Sequence, residues 1–101
     1  MATTTKALFR GAATTSTGTT LYTVPSATTS VVTSIVITNT AGTAGTFTLG
    51  LGGVSLATTV AIPANSIVTL DVKQVLATTN TITGGASATT INFHISGVEI
   101  S

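Results

Sequence analysis

The chain has 101 residues and no cysteine, the length of one domain, which excludes a disulfide framework and a thiolate metal site. Charged residues are 5% of it, Lys6, Arg10, Asp71, Lys73 and Glu99 being the whole set, where about 25% is usual. Three cations are too few for a nucleic-acid footprint, in which each phosphate contact uses a Lys or Arg, and no run approaches the roughly 18 apolar residues of a membrane helix.

Residues 1–18, "MATTTKALFRGAATTSTG", read as an N-terminal arm, with the domain proper at 19–101. The arm has no apolar run long enough for a signal-peptide core. It holds one short strand around Lys6 to Arg10, and Leu8 and Phe9 are its only large apolar side chains apart from Met1. From Leu21 the cadence is β. "TTLYTVP" stops at Pro25, which cannot donate a ladder hydrogen bond. "TSVVTSIVITN", residues 29–39, is the longest β-branched run and reads as a central strand. "TFTLGL" places Phe47, Leu49 and Leu51 on one face, and Gly52-Gly53 signals a hairpin. "VSLATTVAI" runs to "PANS", where proline presets a turn and asparagine tolerates its geometry. In "SIVTLDVKQVL", Val68, Leu70 and Val72 share one face and Thr69, Asp71 and Lys73 the other. "TNTIT" and a second Gly-Gly, Gly84-Gly85, lead into the closing strand.

In that strand, "TTINFHISGVEI", alternation sets Ile91, Phe93 and Ile95 against Asn92, His94 and Ser96. The apolar phase then shifts to Val98 and Ile100, which predicts a β-bulge at Ser96-Gly97 and keeps His94 and Glu99 on the same polar side. Five residues at ~3.3 Å each separate those two by roughly 16 Å, beyond the reach of about 2.6–3.2 Å that general-base contact needs. His94 with Asp71 and a nearby serine could imitate a hydrolytic triad, but serines are too common here for that to be specific. One histidine and two separated carboxylates make no metal site, and the glycines of "GLGG" lack the lysine and helix of a phosphate loop. His94 reads as a solvent-facing or interface residue, and neither an enzyme nor a cofactor is expected.

The expected fold is all-β: a single antiparallel β-sandwich, jelly-roll-like, of about eight strands, because turn signals recur about every 8–12 residues. Its surface is expected to be covered by hydroxyls, since 26 Thr and 9 Ser stand where charge is usual. Near-zero net charge gives little repulsion between copies, and few lysines or prolines remain to protect sheet edges. Assembly is the expected outcome. Ice binding is a remote alternative: Thr-x-Thr triplets occur at positions that include 3–5, 15–17, 38–40, 46–48 and 79–81, without the fixed spacing of a repeat array. Sugar binding lacks aromatic platforms, with one tyrosine and no tryptophan.

The cadence "LYTVP…TSVVTSIVITNT…TFTL", then "IPANSIVTL", then "INFHISGVEI", resembles small β-sandwich virion proteins of tailed bacteriophages over Leu21 to Ile100. The resemblance implies an accessory structural protein on the capsid surface. Its first form is a cement or decoration protein, a homo-oligomer (a trimer favoured) that binds the major capsid protein. Its second is a small tail or fibre-associated protein that contacts the host through loops such as 40–45 and 84–88. The arm lies outside the resemblance, and Lys6, Leu8, Phe9 and Arg10 are its candidate interface residues. No nucleic acid or membrane partner is expected.

Overall fold

A computed structural model describes residues 3–70 and 73–101. They form nine strands: β1 (Thr3–Ala12), β2 (Thr20–Thr23), β3 (Thr29–Asn39), β4 (Gly45–Leu51), β5 (Val54–Ile62), β6 (Ser66–Leu70), β7 (Gln74–Leu76), β8 (Thr81–Ala86) and β9 (Ile91–Ile100). Every pairing is antiparallel. One sheet runs β1-β9-β3-β6, with β7 also on β3, and the other runs β2-β8-β4-β5. β6 pairs with β3 over Ile35–Asn39 and β7 over Ser30–Val32, while β9 lines the opposite side of β3 throughout. β6 and β7 therefore occupy the same edge of β3 in succession and count as one edge strand. Counted that way there are eight strands in the orders 1-8-3-6 and 2-7-4-5, the two-sheet jelly roll. The expectations for Asp71 and Val72 lie outside the described residues.

The core follows from period-two alternation. Phe47, Leu49 and Leu51 of β4 face Val32, Ile35 and Ile37 of β3 and Ile91, Phe93 and Ile95 of β9, all buried. The rings of Phe47 and Phe93 meet edge to face across the two sheets, with centroids 6.4 Å apart. Such a pair adds to stability beyond its buried area. The β4–β5 hairpin turns on Gly52 (φ 61°) and Gly53 (φ 81°), the two left-handed residues a tight turn of this type requires. Asn65 takes φ 52° after Pro63, as the "PANS" turn signal leads one to expect.

Three sequence expectations give way. The first concerns the arm: residues 3–12 are strand β1, hydrogen-bonded along β9, and Leu8 is 6% exposed within the core. Leu8 is the extra residue of a bulge in β1 between Ala7 and Phe9, and the bulge turns its side chain inward. Thr/Ala/Gly composition hides this, because β1 has no alternation to read.

The second concerns the phase of the closing strand. The bulges lie in the neighbours of β9, at Leu8 in β1 and Thr33 in β3, and not at Ser96-Gly97. Unbroken alternation in β9 then puts Gly97 and Glu99 on the inner side and Val98 and Ile100 on the outer one. A Cβ on Gly97 would overlap the Val31 carbonyl oxygen and stand 2.7 Å from Leu8 Cδ1. The missing side chain at Gly97 is the socket that Leu8 fills.

The third concerns Gly84-Gly85, expected in a loop at 84–88 but part of β8, buried. The 13–19 connection packs on Gly85, where an added Cβ would overlap the Ser16 carbonyl oxygen and come within 2.9 Å of Thr17 Cα. Gly84 and Ala86 donate their N–H groups to Thr19 and Thr14 carbonyls, both at 2.9 Å. Glycine inside a strand here marks close backbone approach.

Candidate interaction surface

The charged and polar groups singled out in the sequence do not converge on one place. His94 sits on the outer face of the β1-β9-β3 sheet, with Arg10 and Val36 as its direct cross-strand neighbours. Glu99 points the other way, between the sheets. Asp71, the third member of the hypothetical triad, lies outside the described residues. Among the described residues no group of three His, Cys, Asp or Glu side chains could hold a metal ion.

Glu99 instead belongs to a polar pin. Tyr22 of β2 donates its hydroxyl to the Glu99 carboxylate of β9 and shares a 2.8 Å hydrogen bond with Ser30 Oγ of β3. Lys6 Nζ of β1 reaches the same carboxylate at 3.5 Å. Four strands and both sheets are tied at the end of the sandwich that carries the chain termini. Ser30 is fully buried, so its hydroxyl has no access to a substrate, and a fully satisfied buried network of this kind favours one unique packing. The signal was present in the sequence: strict alternation from Ile91 puts Glu99 inside, where a carboxylate needs a partner.

Burial, then the hydrogen bond to Glu99, pushes the Tyr22 phenol above its ordinary value. A folded-state value above the unfolded one means that this contribution to stability is complete below pH ~10 and is lost as the phenol ionises above it. The urea midpoint is therefore expected to fall as pH rises above about 10, and Tyr22→Phe is expected to flatten that fall. At neutral pH, Tyr22→Phe is expected to cost about 1–2 kcal/mol through the hydrogen bonds it removes. An unchanged alkaline slope in the variant would show that Tyr22 is not the titrating group.

Of the four candidate interface residues, Leu8 is spent in the core and Phe9 packs partly against it. Lys6 is drawn to Glu99. Arg10 is exposed, and among the described residues no ion pair is formed by it. The exposed apolar side chains missed by sequence reasoning are Val54 (70% exposed), Leu56 and Val60 on β5, Ile67 (68%) on β6 and Val75 (67%) on β7. These strands are the edges of the two sheets on one flank, joined by the 63–65 turn. Alternation alone cannot find them, because an edge strand with apolar residues reads like a buried one.

The β5 edge is irregular as well as uncharged. Its register on β4 shifts twice, and Thr59 takes φ 50° while its N–H donates to Thr48 Oγ1 at 3.0 Å. Bulges of this kind limit strand-to-strand addition, so the flank offers side chains and not a regular backbone edge. At the end opposite the termini lie the connections 13–19, 40–44, 63–65 and 87–90, which carry no charged residue. A shallow depression there is lined by Thr38, Asn39, Asn65 and Ile67. The Asn39 amide beside it is already engaged: it donates to the Thr43 and Pro63 carbonyls at 2.9 and 3.2 Å, and its oxygen accepts from Ala41 N–H at 3.0 Å. It fastens two loops.

No protein-family model matches this chain, and no curated protein sequence matches it.

Proposed function

We propose that this chain is a structural virion protein, a capsid cement or decoration protein that binds an assembled phage shell and stabilises it. The observation that carries the reading is the surface: a jelly-roll sandwich whose outer strands bear hydroxyls and exposed β-branched residues, with its ionisable groups dispersed or tied into a structural pin. Such a surface suits shallow contacts repeated over a lattice, where many weak sites act together. The jelly roll itself also serves lectins and enzymes, so the fold supports the reading only in company with the sequence resemblance. The contact surface in this proposal is the β5–β6–β7 flank with its exposed valines and isoleucine, and Arg10 on the opposite edge. No catalytic role is assigned to the chain, and a homo-oligomer, a trimer for preference, is its working state.

The second reading, a tail or fibre-associated module, is favoured by the clustering of uncharged loops at one end, where Thr40 Oγ1 donates to the Thr90 carbonyl at 3.0 Å and joins two of them. Of the loop expected at 84–88, only residues 87 and 88 lie in a connection, the one at 87–90. Ice binding loses its flat array, because the Thr-x-Thr triplets fall on strands and connections of both sheets. Copy number on the particle separates the first reading from the second.

A further inference from the structure

The strand that carries the former arm is seated more lightly than β3 and β9, the other two strands of ten or more residues. Only Leu8 of its ten residues is buried, while β3 and β9 bury alternate residues along most of their length. Its one charged tie, Lys6 to Glu99, spans 3.5 Å with the lysine 48% exposed, and such pairs contribute about 0–1 kcal/mol. It joins the rest of the described sandwich through a single connection, residues 13–19. That connection is anchored from its first residue: Ala13 is buried and donates its N–H to the Ile91 carbonyl at 2.8 Å, and Thr14 and Thr19 are fixed to β8. Release of β1 can therefore stop at Gly11–Ala12 without disturbing the remaining core. Opening of this kind costs less than global unfolding, because few buried contacts break.

What release exposes is specific. The β9 edge from Asn92 to Ile100 becomes a row of unpaired backbone groups, and the socket over Gly97 becomes empty. A strand that fills both must run antiparallel to β9 and turn a leucine inward at a bulge opposite Ser96–Ile95. β1 of a second copy does this by construction, since it is the same sequence. Exchange of an identical element is a low-cost route to oligomers, and a formal net charge of +1 offers little repulsion between copies.

We propose that β1 is an exchangeable strand, which in the assembled protein sits on β9 of a second copy with its Leu8 in that copy's Gly97 socket. The proposal rests on the reading of the chain as a self-assembling component, and it names the contact through which copies join.

The chain has no cysteine, so introduced thiols report this contact alone. Ala7 and Ser96 are direct partners across β1 and β9, close enough in such ladders for a disulfide or a short cross-linker. Full-length Ala7→Cys and Ser96→Cys copies are mixed in solution, oxidised, and run under non-reducing conditions. A mixture of Ala7→Cys with Gly42→Cys, whose thiol lies in the 40–44 connection, gives the collisional background. The expected result is an Ala7–Ser96 heterodimer several-fold above that background, and covalent oligomers from the chain that carries both cysteines. A heterodimer at background level, with only internally cross-linked monomer from the double variant, would overturn strand exchange. Circular dichroism of each variant establishes that it is folded, and Thr5→Cys with Val98→Cys, the next outward-facing pair, replaces any that is not. Because the readout needs no particle, it can fail while the decoration reading stands, and the reverse.

Discussion

Phe93→Ala is expected to destabilise the sandwich by about 3–5 kcal/mol, which for a domain of this size is a large part of the whole. Phe93 is fully buried at the centre of β9, between β1 and β3, and its ring meets Phe47 of the opposite sheet edge to face. Truncation removes the largest side chain that the β9 sheet contributes to the inter-sheet contact and leaves a cavity that neighbouring isoleucines, stiff at χ1, fill poorly. Urea unfolding of the variant measures it. A loss below about 1 kcal/mol would mean that the two sheets are held together mainly elsewhere.

Gly97→Ala should be nearly as damaging through the opposite fault, overpacking. The new methyl group would overlap the Val31 carbonyl oxygen, a backbone atom of the central strand, and press on Leu8. Overpacking costs about 1–3 kcal/mol, and expelling Leu8 adds part of the roughly 2–5 kcal/mol that its burial carries, so a total of about 3 kcal/mol is expected. The double variant Leu8→Ala/Gly97→Ala should be less destabilised than the sum of the single changes, because both act on one socket. Strict additivity would show that Leu8 and Gly97 do not share it.

The elements that sequence reading located are those in which one face is buried and the other wet. Residues 46–51 and 91–95 alternate cleanly, and each lies in a strand with the expected residues inside, while the β-branched run 29–39 is an interior strand of its sheet as expected. The turn chemistry of Gly52-Gly53 and Asn65 was equally legible, because those conformations need those residues. Misreading began where a single position serves a tertiary contact. Gly97 looked like the site of a bulge, but it is a straight-strand residue whose neighbours bulge around it. Gly85 looked like part of a loop because nothing local reveals that the 13–19 connection lies on it. The candidate site suffered for the same reason: Leu8 looked like an exposed anchor until its socket, almost ninety residues further along the chain, was in view. The exposed valines and isoleucine of β5, β6 and β7 were not singled out, because period two carries no information on which strand lies at an edge.

The difference between Leu8 as an anchor and Leu8 as core also changes what a truncation can report. Removing residues 2–18 would take a core side chain with it, so lost particle binding after that deletion would measure unfolding as much as contact. Substitutions on the exposed flank, at Val54, Ile67 or Val75, leave the buried core intact and are the cleaner probes of a shell contact.

The measurement that bears most directly on the proposed function is the molar ratio of this chain to the major shell protein in purified particles that contain it. Shell decoration requires a ratio near one, or a simple fraction of it, because each copy occupies a site repeated with the lattice. A handful of copies per particle would contradict decoration and place the chain in the tail, with its uncharged loop end as the surface to study.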